Sequence, residues 1–533
     1  MLAWCLHVLA LMASTWIAST TLAASTPKFG IHKLTGANTL LSEPNPAIEP
    51  ALAPVLEAEA RRLLERTLPR AKTAECREKI KETAAHIRER FDRHFPRHPF
   101  AELHCPIASL APTESYSQSE SMLPNEKPPP ALLNRSGAKR CRATIAFMFQ
   151  LHQRTNVTLL SRLLQKVLRP HHLYHFSFDA WPNPHVIDPD TGEQTTRVDL
   201  LTKRIRAIFA RHGPVKHLEI RRSNVDVLYT GQSLLHSHIL ALRDLLKPHI
   251  PPWDFVINLS ASDYPIKSVE FTERLLAARG VQSWMESFLQ VPVYANGRQL
   301  YGWFIECPSE QCCPSQDLDE SIHDECSGYV FHEASSLKPS MIGSAEFGGS
   351  AFWTLHHDFV RYVWTCLSVG DSTWARNTTV KGPLGADKKE DEAYCASVRG
   401  MYKWYSSSFS PEETFFQTVL FNSQFCSTGN AGGNQRWVLW RDGDERCNEE
   451  QRGSDYKATR PGCFTARKMD WIAQAWFPPS DCATKTCAER YHQVFARKFS
   501  SKGPEHLEAL DIADRAAAAW DDQLIAGLLA CPG

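Results

Sequence analysis

The sequence predicts an α/β fold with a mostly parallel central sheet, preceded by a helical stem. Three observations predict it. Strand-like runs rich in apolar residues recur at 145–149, 173–178 and 255–259, the second of them alternating. Helical patterns fill the intervals, at 159–168, 198–209 and 233–246, and such alternation means parallel strands joined by crossover helices. A separate helical pattern covers 51–94, and a stretch rich in Pro and Ser parts it from the rest.

Taken in order, Met1 to Ala24 carries no Asp, Glu, Lys or Arg. It reads as a cleaved signal peptide, with small residues at Ala23, Ala24 and Ser25, or as an uncleaved anchor of a type II membrane protein. Either delivers the remainder to the lumen of the secretory pathway, held at a Golgi membrane or secreted after cleavage. Residues 25–50 are rich in Pro, Ser and Thr and have no period. In 51–94, Val55-Leu56, Leu63-Leu64, Ile80 and Ile87 recur among charges, and Pro69 divides the pattern into two helices. Residues 106–140 read as a linker. Then come Ile145–Phe149 as a buried strand, Leu159–Leu168 as a helix, Leu173–Phe178 as a strand ending at Asp179, and Val198–Phe209 as a helix. His217–Ile220 is a short strand, Ser233–Leu246 a helix begun after Thr230-Gly231, and Phe255–Leu259 a buried strand. The expected divisions are 1–24 (signal or anchor), 25–140 (stem and linker), 141–500 (main domain) and 501–533 (helical tail). In open α/β sheets ligands bind at the carboxyl ends of strands. Asp179 and the Ser260–Asp263 turn lie at such ends.

Composition narrows the class. Lys plus Arg equals Asp plus Glu at 59 each, so net charge gives no reason to expect nucleic acid as a partner. The 16 Cys are scattered, which in a lumenal protein reads as disulfides rather than zinc ligands. Sequons stand at Asn134, Asn156, Asn258 and Asn377. Asn258 lies inside a strand run and is expected to be buried and unmodified. No GxGxxG, Walker loop, GxSxG or HExxH follows the strands, so dinucleotide, P-loop, serine hydrolase and zincin chemistries have no support. The Asp-x-Asp look-alikes Asp188–Asp190, Asp317–Asp319 and Asp442–Asp444 read as solvent-facing loops.

The chemistry centres on Ser410-Pro411-Glu412-Glu413-Thr414, a turn signal and two carboxylates before an apolar run. Such a pair can be a helix cap and dipole partner, or it can hold a general base rigidly. Asp263 reads equally as a turn aspartate ahead of Tyr264-Pro265 or as an acceptor-side carboxylate.

With these pieces in order, the chain resembles the family-14 glycosyltransferases, which include peptide O-xylosyltransferases and branching β-1,6-N-acetylglucosaminyltransferases. The likeness runs from about Ile145 to Phe499. It is carried by FMFQLHQR at 147–154, YHFSFD at 174–179, TGQSLL at 230–235, WDFVINLSASDYPIK at 253–267, GGSAFWTLHHDFVRYV at 348–363, SPEETFFQTVLFNSQFC at 410–426 and FARKF at 495–499. The resemblance implies a GT-A type fold, a UDP-sugar donor, inversion at the anomeric carbon and no requirement for a metal or other cofactor. It implies Glu413 as general base, with Glu412 acceptor-side or structural. It implies donor contacts at Gln150, Asp179, Leu228, Tyr229 and Thr414, and a cationic site for the diphosphate at Arg497 and Lys498, with Arg460 a further candidate. Cys447 and Cys463 fall near positions paired in xylosyltransferases, so the resemblance implies a disulfide between them as a candidate.

The match departs from the family at Gln153, at Tyr229-Thr230 and at Ala351-Phe352, where xylosyltransferases carry Asp-Trp and this chain is more like the branching enzymes. SASDYPIK, FFQTVLFNS and FARKF look closer to the xylosyltransferases, so the resemblance implies xylose transfer from UDP-xylose to a protein serine. The rival within the class is N-acetylglucosamine transfer to a glycan. The rival of another class is an inactive glycan-binding or scaffold protein.

Overall fold

The computed structural model describes residues 49–71, 73–93, 132, 140–152, 155–179, 185–223, 225–228, 231–289, 302–307, 329–333, 347–368, 388–426, 433–438, 464, 493–499 and 504–524. The chain divides into two compact units, Met1–Asn45 and Pro46–Gly533, and all described residues belong to the second. The fate of Met1–Ala24 thus lies outside them, as do Tyr229, Arg460, Cys447 and Cys463 and the look-alikes at 317–319 and 442–444. No helix among the described residues is long and apolar enough to cross a membrane.

Helices α1 (Glu49–Thr67) and α2 (Ala74–Arg93) flank a 3-10 turn, Leu68–Arg70, that contains Pro69. Proline lacks the N–H an α-helix would need there, so the break falls where the sequence puts it. Next come β1 (Ile145–Leu151), α3 (Val157–Val167), β2 (Leu173–Phe178), the short β3 (His185–Ile187) and β4 (Gln194–Thr196), α4 (Arg197–His212), β5 (His217–Arg222), α5 (Gln232–Leu245) and β6 (Phe255–Leu259). They are followed by β7 (Asp263–Pro265), α6 (Val269–Ala278), β8 (Trp284–Leu289), β9 (Gly302–Glu306), β10 (Tyr329–Glu333) and β11 (Phe347–His356). The last elements are α7 (His357–Ser368), α8 (Lys388–Tyr405), α9 (Phe415–Phe421), β12 (Arg436–Val438), β13 (Phe495–Arg497) and α10 (Pro504–Leu524).

Six strands form the central sheet in the order β5-β2-β1-β6-β11-β8. The pairs β5–β2, β2–β1 and β1–β6 are parallel, and β11 runs antiparallel to both β6 and β8. The sheet is thus mixed α/β with a largely parallel centre, as a GT-A type fold requires. Both faces are covered, which explains the uninterrupted apolar runs. Alternation sorts the side chains. Phe147 and Phe149 pack with α3, α4 and α6, whereas Ala146 and Met148 pack with α5, α7 and α9.

Asn258 is buried as expected, its amide donating to Ala351 O at 2.8 Å while its Oδ1 accepts from Trp353 N at 2.8 Å. Asp188 is buried instead of solvent-facing, because the β3–β4 hairpin lies against α4 and Lys203 donates to its carboxylate at 2.6 Å. Its neighbour Asp190 is exposed and pairs with Arg204 at 2.7 Å.

Disulfides join Cys76 to Cys307 and Cys366 to Cys395. The first ties α2 to the end of β9. The contact is more than a staple: Leu63, Ile80 and Ile87 share a small core with Trp303 and Ile305 of β9.

Candidate active site

The parallel strands deliver their carboxyl ends to one rim. Gln150 is the penultimate residue of β1, and its buried amide nitrogen has no hydrogen-bond partner among the described residues. Asp179 follows β2. Its N–H donates to Leu151 O at 3.0 Å and its carboxylate accepts from Val227 N at 2.9 Å, fixing the loop that leads to Leu228. Leu228 is buried, and its N–H donates to Ser233 Oγ at 2.7 Å in the first turn of α5.

Above this rim, β11 carries a bulge. Its register against β8 shifts between Gly349 and Trp353, and residues 349–352 are half-buried where their neighbours are buried. Glycine at 349 is required by space, since a Cβ there would meet the Glu286 carbonyl oxygen at 1.7 Å. The bulge is pinned from below by Asn258 and from one side by Gln417 of α9, which donates to Ser350 O at 2.9 Å. It lies between two sets of charged groups.

The first set is acidic. Ser410 adopts left-handed angles (φ 48°, ψ 54°), which reverses the chain so that Pro411–Glu413 forms a single 3-10 turn. Glu413 N–H closes it on Ser410 O at 3.0 Å. Phe415 and Phe416 then anchor α9 in the core, Phe416 against Trp353 at 5.1 Å. The acid pair is therefore held on both sides. Glu412 is buried and one of its carboxyl oxygens has no hydrogen-bond partner among the described residues. Burial, with Glu413 and then Glu306 adding charge, pushes Glu412 well above the usual carboxylate range. Burial and the Glu286 carboxylate push Glu413 up to about 7. Glu286 on β8 is itself raised by burial, and Asn434 Nδ2 lies 3.5 Å from it. Burial also raises Glu306 at the end of β9, although Ser233 N–H and Oγ–H donate to it at 2.9 and 3.0 Å. Gly231 makes that contact possible, since a Cβ there would fall 1.6 Å from the Glu306 carboxylate. Thr414 is buried, its hydroxyl donating to Pro411 O at 3.2 Å.

The second set is basic. β13 lies between β12 and β7, so Arg497 pairs in register with Asp263. Its guanidinium donates to Ser260 Oγ, lies 3.4 Å from the Asp263 carboxylate, and stacks 4.1 Å from the Phe352 ring centroid. Asp263 also accepts from Ser260 N–H at 2.6 Å, so it is a buried turn aspartate and the partner of Arg497 at once. Lys498 follows directly, its carbonyl accepting from Phe464 N at 2.9 Å.

Among the described residues, types that could ligate a metal gather at two other places, His171–His172–Glu273 and His175–Glu219–Asp244. Both read as hydrogen-bonded or ion-paired clusters. His172 Nδ1 accepts the Ile145 N–H at 3.2 Å, so its Nε2 carries the proton that faces Glu273 at 3.1 Å. Asp244 is already encircled by Arg221, Arg243 and Lys247.

Sequence reasoning did not single out Glu286, Glu306 or Arg436. Each is a charged residue beside apolar ones in a short strand, and that mismatch was the available signal.

Comparison with known proteins fits this geometry. Residues 145–301 match the family profile described as Core-2/I-Branching enzyme. The chain is 25% identical over 368 residues to "Xylosyltransferase oxt" of Drosophila pseudoobscura pseudoobscura, covering 68% of this chain and 32% of that protein. It is 24% identical over 452 residues to xylosyltransferase 2 of Homo sapiens, covering 83% and 40%, and 25% identical over 373 residues to xylosyltransferase 1 of Rattus norvegicus, covering 70% and 35%. The chain thus spans between 32% and 40% of the length of these relatives. The matched segment holds β1, β2, β6 and β8, and with them Gln150, Asp179, Leu228, Asp263 and Glu286.

Proposed function

We propose that this chain is an inverting, metal-independent glycosyltransferase of the secretory pathway lumen that moves a sugar from a UDP donor, xylose in the favoured case, to a protein serine hydroxyl. Two observations carry the reading: the half-buried carboxyl of Glu413 lies in the turn before α9, whose Gln417 holds the β11 bulge, and the cation Arg497 stacks on Phe352 of the same bulge. Inversion is one in-line displacement. The acceptor oxygen forms the new bond to the anomeric carbon as its proton passes to Glu413, and the bond from that carbon to the diphosphate oxygen breaks. A carboxyl poised near 7 takes a proton at working pH and can return it to water afterwards. The departing diphosphate carries its charge to Arg497 and Lys498, which do the work a metal does elsewhere. Gln150, Asp179, Leu228 and Tyr229 would hold the nucleoside, with Thr414 beside the sugar and Arg460 a further phosphate contact.

One observation favours a second reading. Ala351-Phe352 occupies the bulge where xylosyltransferases carry Asp-Trp, and a sugar pocket without that carboxylate suits N-acetylglucosamine transfer to a glycan. The deciding experiment measures UDP release by the full chain in EDTA from UDP-xylose and UDP-N-acetylglucosamine, each with and without a Ser-Gly peptide. Peptide-stimulated release from UDP-xylose alone is expected. Preference for the other donor moves the enzyme to the branching side, and no release from either leaves another donor or acceptor, or a glycan-binding protein, as the next reading to test.

A further inference from the structure

Beside Arg497 at the β11 bulge stands a second guanidinium that the proposed chemistry does not use. Arg436 of β12 is 5% exposed and sits over the Phe352 ring at 5.4 Å, the same ring that Arg497 covers at 4.1 Å. It also lies 5.5 Å from the Phe495 ring. Its hydrogen bonds go to neutral carbonyls, Asn434 O at 2.8 Å and Asn258 O, and its Nε has no partner among the described residues. Asp263 is the carboxylate whose charge acts on Arg436, and Asp263 is already engaged by Arg497 and by Ser260 N–H. Two guanidiniums therefore share one carboxylate in a dry site. Burial pushes Arg436 down to about 10, so it is charged at neutral pH.

We propose that Arg436 is a positioning cation which, with Arg497 and Phe352, forms a cluster left one negative charge short, and that the phosphate oxygens of a diphosphate-bearing ligand complete it. A buried cation with incomplete compensation is costly, and an anion arriving at the exposed side of Arg497 relieves that cost. Two further contacts join Arg436 to the bulge. It bonds the Asn258 carbonyl, while the Asn258 amide group bonds Ala351 O and Trp353 N on either side of Phe352. Arg436 thereby braces the ring on which Arg497 rests, in addition to supplying charge. A lysine could keep the charge but could not reach both carbonyls with a planar fork.

The inference rests on the reading of Arg497 as the diphosphate site, and the test separates the two. Calorimetric titration of the full-length protein with inorganic pyrophosphate, UDP and uridine would be compared for the natural protein, Arg436→Met, Arg436→Lys and Phe352→Leu. Arg436→Met is expected to weaken pyrophosphate and UDP by about tenfold, the loss of one charge-assisted contact, and to leave uridine unchanged. Arg436→Lys should recover part of the loss, and Phe352→Leu should weaken pyrophosphate severalfold with both charges kept. If Arg436→Met does not fold, Arg436→Lys and Phe352→Leu decide by the same criterion. Equal pyrophosphate binding by the variants and the natural protein overturns the inference and leaves the transferase reading standing. Equal loss of uridine and pyrophosphate also overturns it, since that marks a merely structural arginine. Arg436-dependent pyrophosphate binding without turnover of any UDP-sugar upholds the inference and removes the transferase reading.

Discussion

The two sides of the β11 bulge handle charge in opposite ways. On the α9 side, Glu286, Glu412 and Glu413 gather with no cationic partner among the described residues, and burial drives their protons on. On the β13 side, Arg436 and Arg497 share Asp263. Each side is uncomfortable alone, since like charges in a dry place repel and desolvation penalises each of them. They come from different layers. The acid turn hangs from the core under α5, α7 and α9, whereas the basic strand belongs to the core with α3, α4 and α6. The difference teaches that neither side is tuned for stability. A proton acceptor needs a raised carboxyl and a phosphate site needs spare positive charge, and both cost folding energy.

Removing either chemical group should break the comparison most sharply. Glu413→Gln keeps the turn and deletes the base. It should lower kcat by about three orders of magnitude, within the usual range for a general base, and leave the Kd for UDP unchanged. Arg497→Gln should act the other way. UDP affinity should fall along with kcat/KM, the latter by about a hundredfold, the scale of one donor aimed at developing charge. Steady-state kinetics beside calorimetric UDP titration would check both. A Glu413→Gln variant with full turnover would refute the base assignment.

Next in size is a test of the bulge that parts the two sides. Gly349→Ala places a Cβ against the Glu286 carbonyl, a backbone atom that cannot step aside, so the β8–β11 register must give. A loss of about 1–3 kcal/mol is expected, as for overpacking elsewhere, with Glu286 displaced. Gly231→Ala meets a side chain, the Glu306 carboxylate, which can swing away. It should cost less stability while releasing Ser233. Thermal denaturation of the two variants would rank them, and a larger loss for Gly231→Ala would contradict this account.

The sequence announced the elements that are buried on all sides and left the site half visible. β1, β2 and β6 were legible because both their faces are covered, so apolar residues dominate them, with Gln150, His175, Ser177 and Asn258 as the exceptions. α4 was read as 198–209 and runs Arg197–His212, because Thr196 caps it by accepting from Asp199 N and the turn continues to Gly213 at φ 90°. Asp179, Asp263 and Glu413 stood out at strand ends and a turn, and Gln150 and Arg497 were named by the resemblance. Their partners could not be read. Arg436 reaches Asn258 across 178 positions, and Arg497 reaches Asp263 across 234. No local period encodes such pairs, and a lone Glu286 or Arg436 in a short strand looks like an ordinary exception. Asp263 and Arg497 were given separate roles for the same reason, although one ion pair holds both.

The smallest expected effect separates the carboxylates from one another by pH. Glu413 sits at about 7 because of burial first and the Glu286 charge second. A base must be deprotonated to act, so kcat should rise about tenfold per pH unit below 7 and level off above it. Stability should run the opposite way. A carboxyl whose folded value lies above its unfolded value, near 4.3, binds more protons in the native state between those limits. Folding stability is therefore greatest below the unfolded value and is lost as pH rises through about 7, the reverse of an ion-paired carboxylate. Glu286→Gln removes only the second cause. The inflection of the rate profile should move to lower pH by less than about one unit, with burial left to hold most of the shift. Arg497→Gln should leave the inflection where it is, because that guanidinium belongs to the other side of the bulge. An inflection unmoved in Glu286→Gln and shifted in Arg497→Gln would mean that the two sides share one field, and the contrast between them would fall.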